Sequence, residues 1–504
     1  MENEILDVLI VGAGLSGIGA AVHLTKRCPG KSFAIIEARE RLGGTWDLFR
    51  YPGIRSDSDM YTLGYNFKPW TARRAIADAP SILKYLNETV DEYDLEDKIR
   101  FNRKVVDASW SSGDALWTVS LRHGDGSIST VKCNFLHMCS GYYSYEEGHS
   151  PDFPGKSDFA GQIVHPQFWP EDLDFAGKKV VVIGSGATAV TLIPSMAETT
   201  AHITMLQRSP TYIVSLPGED KWALRFRKVL PAKLAYLLTR WKNVLWGLFT
   251  FNLARKKPEG FKDRLFKMVR EEMGPDVDMT NFTPRYNPWD QRLCLVPDSD
   301  LFKSIKSGKA SIVTDQIETF TKDGIKLKSG KTLAADIIVT ATGLKMLTGG
   351  SATVSVDGRL VNFGEKINYK GVMFSGIPNF GMTMGYTNAS WTLKADLTSE
   401  YVCRLLNFMD KNGTPIATPT LPSDGLMGTE PMLDFTSGYV QRAIKNLPKQ
   451  GDRKPWRLNQ NFPKDIINLR YKAVNDGAMV FSRPGVAAVR LPDKQTEAEV
   501  IAAE

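Results

Sequence analysis

The residues of this chain whose types and spacing could do chemistry begin with a glycine pattern. Gly12-Ala13-Gly14-Leu15-Ser16-Gly17 follows the apolar run Ile5–Val11 and opens a helix predicted over Gly14–Arg27. In such a strand–turn–helix, Gly12 permits the tight turn and Gly14 lets the backbone approach a pyrophosphate. Gly17 lets helix and strand pack closely, and the helix N-terminus offers N–H groups to the phosphates. Glu37 closes the next strand, twenty residues past Gly17. A carboxylate there accepts hydrogen bonds from a ribose 2′-OH and repels a 2′-phosphate, so this turn is expected to take FAD or NAD rather than NADP. Gly43-Gly44-Thr45-Trp46 then supplies a second close approach of backbone, which favours FAD.

A second pattern, Gly184-Ser185-Gly186-Ala187-Thr188-Ala189, has Ala in place of the third glycine. Its second strand ends without an acid, on Gln207-Arg208-Ser209. A guanidinium and a hydroxyl suit a 2′-phosphate, so this cradle is expected to take NADPH through Gly184, Ser185, Gly186, Ala187, Thr188, Arg208 and Ser209. The five cysteines, Cys28, Cys133, Cys139, Cys294 and Cys403, form no CxxC or CxxxxC pair. That argues against a dithiol reductase, a disulfide framework and a metal site, and for a reducing, cytoplasmic setting.

Between the cradles lies Phe159-Ala-Gly161-Gln-Ile-Val-His165-Pro-Gln-Phe-Trp169-Pro170. It resembles the fingerprint FxGxxxHxxxW(P/D) of Baeyer–Villiger monooxygenases at every defined position. Gly43-Gly44 through Tyr51-Pro52-Gly53 to Asp57 is similar to the family's second pattern, GGxWxxxx(F/Y)P(G/M)xxxD. The likeness covers essentially the whole chain. Trp46–Tyr61, Tyr286–Val296 and Gly385–Leu397 look most like the ethionamide-activating branch. The resemblance implies a class B flavoprotein that uses FAD, NADPH and O2, forms a C4a-peroxyflavin, and converts ketones to esters or lactones or sulfoxidises thioethers.

It also implies roles. Arg292 looks like the family's active-site arginine, a fixed cation beside the flavin that cannot donate a proton to a peroxide. Asp57 is the matching acid, with Asp59 as its neighbour and rival, and Asp290 is the other carboxylate that could pair with Arg292. The chain departs from the family at Gln291, where lysine is usual, which shifts NADPH contacts toward Arg208. His165 and Trp169 are read as linker residues rather than acid or base. Two rivals remain open at this point: a flavin monooxygenase confined to sulfur and nitrogen, and a non-catalytic NADPH-sensing flavoprotein.

The elements that must position these residues are those of an α/β protein with two Rossmann-like dinucleotide domains. Ile5–Val11, Lys179–Ile183 and Asp336–Thr340 are apolar runs of the kind buried on both faces of a parallel sheet. Phe33–Glu37 and Ile203–Gln207 follow helices over Gly14–Arg27 and Gly186–Met196. Lys104–Trp110, Ala115–Leu121 and Ser127–Cys133 read as antiparallel strands with a turn at His123–Gly126. The expected division is a FAD domain over 1–145, an NADPH domain inserted over 146–345, and a return segment over 346–504 with a polar, mobile tail from Arg490. A helical insertion is expected over about 213–273.

The net charge of +7 over 504 residues is not evenly spread. Lys221–Arg270 holds fourteen Lys/Arg against Glu259 and Asp263, so the remainder is mildly acidic and nucleic-acid binding has no support. Trp222, Phe226, Leu230, Leu234, Leu237, Trp241, Leu245 and Leu248 recur at helical spacing in that segment. Its longest low-polarity run, Val244–Ala254, is eleven residues, against the roughly 20 that span a bilayer. The segment reads as a helical cap on the NADPH domain beside the entrance for a small apolar ketone or thioether, with a peripheral membrane contact through 221–270 as the alternative. The N-terminus lacks the pattern of a signal peptide.

Overall fold

Ile5–Val11 forms an inner strand of a nine-stranded sheet in the computed structural model, which describes residues 5–422, 427–433 and 435–485. Leu9 and Ile10, on opposite faces, are both fully buried, as a two-sided parallel strand requires. Ile5–Val11 pairs in parallel with Phe33–Ile36 on one side and Ile128–Met138 on the other. Antiparallel strands Arg103–Ser111 and Leu116–His123 extend the sheet beyond Ile128–Met138. Two strands from late in the chain return to this sheet: Thr353–Val356 pairs with Arg103–Ser111, and Phe380–Met382 with Ile128–Met138.

The second sheet is wholly parallel. Its five strands run in the order Ala310–Thr314, His202–Gln207, Lys179–Ile183, Ile337–Thr340, Gln162–Val164. The two passages of the chain between the sheets pair with each other, since Tyr143–Gly148 lies antiparallel to Leu344–Met346. The fold is therefore α/β with two Rossmann-like units, one interrupting the other.

The helical stretch begins later than its expected start near 213. Ile213–Leu216 is a strand, paired in parallel with Cys294–Pro297. The apolar, β-branched Ile213-Val214 finds a partner there that a local reading of the sequence could not supply. Three helices follow, Lys221–Val229, Ala232–Lys256 and Pro258–Met273. They do not sit on the second unit alone, as expected, but bridge both. Pro258–Met273 packs on the second unit through Ile213–Leu216 and the helix Asp300–Lys306. Ala232–Lys256 packs on Met60–Leu63 of the first unit. The expected polar tail from Arg490 lies outside the described residues.

Arg240 is the clamp for that second contact. Its buried guanidinium donates to the carbonyls of Tyr61 at 2.8 Å and Gly64 at 2.7 Å, and lies 3.5 Å from Asp396 on the helix Trp391–Asn412. Asp396 also faces His23 at 3.2 Å and accepts from the Asn66 N–H at 3.0 Å. Removing one partner from a buried, hydrogen-bonded charge cluster leaves the others unsatisfied. Arg240→Met should therefore lower unfolding free energy by about 3–5 kcal/mol, read as a lower urea midpoint at unchanged slope. A loss below about 1 kcal/mol would contradict this account of the clamp.

Candidate active site

The C-terminal ends of Ile5–Val11 and Phe33–Ile36 open on a cavity of about 460 Å³, lined by Gly12, Gly14, Glu37, Gly44, Thr45 and Trp46 among others. Gly12 has φ +104°, and a Cβ on it would stand 2.7 Å from the Cys139 carbonyl oxygen. A Cβ on Gly17 would stand 1.8 Å from the Gly12 oxygen. The two glycine turns press together: a Cβ on Gly44 would meet the Gly14 Cα at 3.1 Å, and the Gly43 N–H donates to the Ala13 carbonyl at 2.9 Å. The helix Leu15–Arg27 starts at Gly14 with no side chain capping it, whereas Asp78 and Asp220 cap the helices Ala79–Glu92 and Lys221–Val229. An uncapped helix start aimed at a cavity is a ready anion site.

Glu37 is buried, and both its oxygens have partners. Oε2 accepts from the Ala13 N–H at 2.7 Å and Oε1 from the Arg39 N–H at 3.0 Å, so this acid also braces the glycine turn. Burial pushes its carboxyl above the usual range against those bonds. Arg39 Nε and Ser140 Oγ are buried without a hydrogen-bond partner among the described residues, and both residues line the cavity. Buried polar atoms without partners call for a ligand or water. The cavity, the crowded glycines and these two atoms together fit a pyrophosphate-bearing cofactor such as FAD.

At the second cradle Gly184 has φ +138°, and a Cβ there would meet the Ala341 oxygen at 2.3 Å. Above Gly186 there is open space, and the helix Ala187–Met196 also starts uncapped, carrying Ala187 and Thr188 in its first turn. The Ser185 hydroxyl donates to the Ser209 carbonyl at 3.1 Å, tying the cradle to the next strand end, where Arg208 stands exposed.

One loop joins the two cradles. Tyr51 packs in the core of the second unit, and burial pushes its hydroxyl up to about 12, with Thr188 pulling the other way. Gly53, at φ +75°, lies against the cradle helix so closely that a Cβ would sit 1.7 Å from Ser195 Oγ. The same loop ends on Asp57, whose Oδ2 accepts from Arg292 Nη1 at 3.2 Å. Asp59 is otherwise engaged, capping Met60–Leu63 and accepting from Asn243 at 2.9 Å. Asp290 pairs with Arg255 at 2.7 Å. Desolvation in the cavity disfavours the Arg292 charge, but the Asp57 carboxylate beside it holds the guanidinium above its ordinary value. It is a permanent cation.

Arg292 and Asp57 line a second cavity of about 730 Å³, walled by Trp222, Val244, Trp246, Leu248, Phe261 and Leu265 of the three insertion helices. The two cavities stand back to back. Leu63 and Trp391 line the first, Thr62 and Ser390 the second, and the Thr62 and Ser390 hydroxyls meet at 2.6 Å between them. Trp391 donates to Ser16 Oγ at 2.7 Å and stacks on Tyr142 at 5.0 Å. Sequence reading missed Tyr142, Tyr143 and Trp391. The available signal was position: Tyr142 and Tyr143 follow a parallel strand ending at Met138, the edge where open α/β sheets place ligands.

The remaining fingerprint residues lie apart from the arginine. Phe159 packs in a core cluster with Phe320, and a Cβ on Gly161 would strike the Asp336 oxygen at 2.3 Å. Trp169 is buried in the second unit's core. His165 presses on Gly148, where a Cβ would stand 2.1 Å from its ring, and Gly148 belongs to the crossing ribbon. Burial lowers the His165 pKa, and its Nδ1 accepts from the Gln167 N–H at 3.2 Å.

Two glycine cradles on separate sheets, with an ion pair joining the two units beside an apolar cavity, define a two-dinucleotide-domain architecture. Residues 75–346 match the flavin-binding monooxygenase-like family and residues 10–71 an NAD(P)-binding Rossmann-like domain. The chain is 53% identical over 483 residues to the FAD-containing monooxygenase EthA of Mycobacterium tuberculosis (strain CDC 1551 / Oshkosh), covering 95% of this chain and 98% of that protein. Among solved structures it is similar to OTEMO in complex with FAD and NADP, with TM-score 0.68 and 25% identity over 82% of this chain and 88% of that one. It shares its fold with an oxidized steroid monooxygenase bound to NADP, with TM-score 0.75 and 23% identity over 95% of this chain and all of that one, 100%. The chain belongs to the flavin-binding monooxygenase-like family.

The loop from Tyr51 to Asp57 yields a direct test. Gly53→Ala combines a left-handed backbone with an overlap on Ser195, so it should cost about 2–4 kcal/mol of stability. Thermal unfolding would show it, and an unchanged melting temperature would mean that the loop does not rest on the cradle helix.

Proposed function

We propose that this monooxygenase uses FAD, NADPH and O2 to insert oxygen into apolar ketones, giving esters or lactones, and also sulfoxidises thioethers. The observation that carries the reading is the Arg292–Asp57 pair at 3.2 Å, set in an apolar cavity directly behind the cavity of the first cradle. Gly12, Gly14, Gly17, Glu37, Gly44, Thr45 and Trp46 are assigned to FAD. Gly184, Ser185, Gly186, Ala187, Thr188, Arg208 and Ser209 are assigned to NADPH, with Asp57 at the meeting of the two. The corresponding domains are 1–145 with 346–504 for FAD and 146–345 for NADPH, a division supported by the late strands that return to the first sheet.

When bound, the reduced flavin supplies oxygen activation, with NADPH giving two electrons, one oxygen atom entering substrate and the other leaving as water. The chain's own work is electrostatic. Arg292 presents a fixed positive charge where negative charge develops, and it has no proton to release at neutral pH. Asp57 orients the guanidinium through its hydrogen bond. Trp222, Trp246, Leu248 and Leu265 exclude water and favour apolar substrates. His165 acts as a positioning residue that seats the crossing ribbon, while Phe159, Gly161 and Trp169 hold the second unit's packing behind it.

Purified yellow enzyme given NADPH, oxygen, a linear ketone, a cyclic ketone and a thioether should yield ester or lactone as well as sulfoxide. Sulfoxide alone would overturn the ketone assignment, and peroxide alone would overturn oxygenation. Arg292→Ala should keep its flavin and lose about 100- to 1000-fold in oxygenation turnover. Arg208→Ala should raise the KM for NADPH about ten- to hundredfold while leaving that for NADH nearly unchanged. Equal effects on both coenzymes would remove Arg208 from the 2′-phosphate.

A further inference from the structure

The long insertion helix Ala232–Lys256 is apolar on two faces. Its inner face buries Ala235, Tyr236, Thr239, Arg240 and Val244. Its outer face leaves Leu234, Leu237, Leu238, Leu245 and Phe249 exposed, the last at 56%. A helix facing water ordinarily turns polar residues outward, and large contiguous apolar patches mark interaction surfaces. The neighbouring helix adds Trp222 and Val229 to the same exposed set.

Charge decides what covers this surface. Residues 221–257 contain ten Lys and Arg and no Asp or Glu. Some have internal partners: Arg240 is buried on Asp396, Lys242 pairs with Asp220, and Arg255 with Asp290. Lys221, Arg225, Lys228 and Lys233 stand exposed before or at the start of the long helix, and Lys256 and Lys257 at its end. The helix is about 37 Å long, so an apolar middle lies between two basic ends. A second copy docked on this face would set lysines against lysines, which disfavours self-association. Among the described residues no helix is long and apolar enough to cross a membrane.

We propose that the outer face of helices Lys221–Val229 and Ala232–Lys256 lies flat on an anionic lipid bilayer, with leucines and aromatics in the acyl boundary and the basic ends on headgroup phosphates. The cavity that holds Arg292 and Asp57 opens at this surface. Trp222 and Trp246 both line that cavity and stand 54% and 62% exposed, so they form its rim. The inference deepens the proposed function, on which its second half rests: apolar substrate enters from the bilayer rather than from water.

The test is vesicle sedimentation of the full-length holoenzyme without NADPH or substrate. Equal parts of phosphatidylglycerol and phosphatidylcholine should pellet the enzyme at least about tenfold more than pure phosphatidylcholine, and raising salt from about 0.05 M to about 0.5 M should release it. Leu237→Glu/Phe249→Glu and, separately, Lys233→Glu/Lys256→Glu/Lys257→Glu should each reduce pelleting about tenfold or more. Neither set lines the cavity, so flavin absorbance and turnover of a water-soluble thioether should stay near wild type and report intact folding. No pelleting above a vesicle-free control, equal pelleting on neutral vesicles, or variants that bind like wild type would each overturn the proposal. So would a concentration-dependent dimer in sedimentation equilibrium that Leu237→Glu/Phe249→Glu dissociates. Because binding is read without turnover, its failure leaves the monooxygenase reading standing, and absent turnover with intact pelleting would sink that reading alone.

Discussion

The hydrogen bond between Arg292 and Asp57 joins segments 235 residues apart on the wall of the insertion cavity. Each partner is held by a different unit. Asp57 ends a loop that leaves the first sheet's Gly43-Gly44 turn and runs over the second cradle's helix through Tyr51 and Gly53. Arg292 precedes the strand Cys294–Pro297, whose parallel partner Ile213–Leu216 leads into the insertion helices. A carboxylate beside a guanidinium in a partly enclosed cavity fixes both charge and direction, and neither needs to reorganise as negative charge appears nearby. The cradles, the loop and the insertion can all be understood as supports for that one fixed charge.

Much of the fold was legible because its strands are buried on both faces and its turns demand glycine. Ile5–Val11 and Lys179–Ile183 stand where continuous apolar runs placed them. The acid at Glu37 and its absence at Arg208 were visible as residue types at fixed offsets. The sequence could not show that Glu37 gives one oxygen to the Ala13 N–H, since that bond depends on the turn being already folded. The motif spacing favoured Asp57 over its neighbour Asp59 but could not show what occupies Asp59. Only the helix start at Met60 and the approach of Asn243 from the insertion engage Asp59 and leave Asp57 facing the arginine.

Non-local partners explain what was misread. Helical periodicity from Trp222 onward was real, but it extended too far back because Ile213-Val214 finds its strand partner 81 residues later. The same periodicity could not reveal where the helices dock. Arg240 appears in sequence as one more base in a basic segment, yet it is buried and fastens the insertion to Tyr61, Gly64 and Asp396. Through that fastening the apolar side chains of a basic insertion become the wall of the cavity around Arg292.

For the proposed chemistry the paired guanidinium must face the bound cofactors. A crystal structure of the enzyme with FAD and NADP both bound measures this directly. FAD should lie along the Gly12–Gly17 turn, with the Arg292 guanidinium within about 4 Å of a cofactor ring while still on Asp57, close enough for direct charge stabilisation. Arg292 turned out to solvent with both cofactors in place, or Asp57 paired elsewhere, would contradict it.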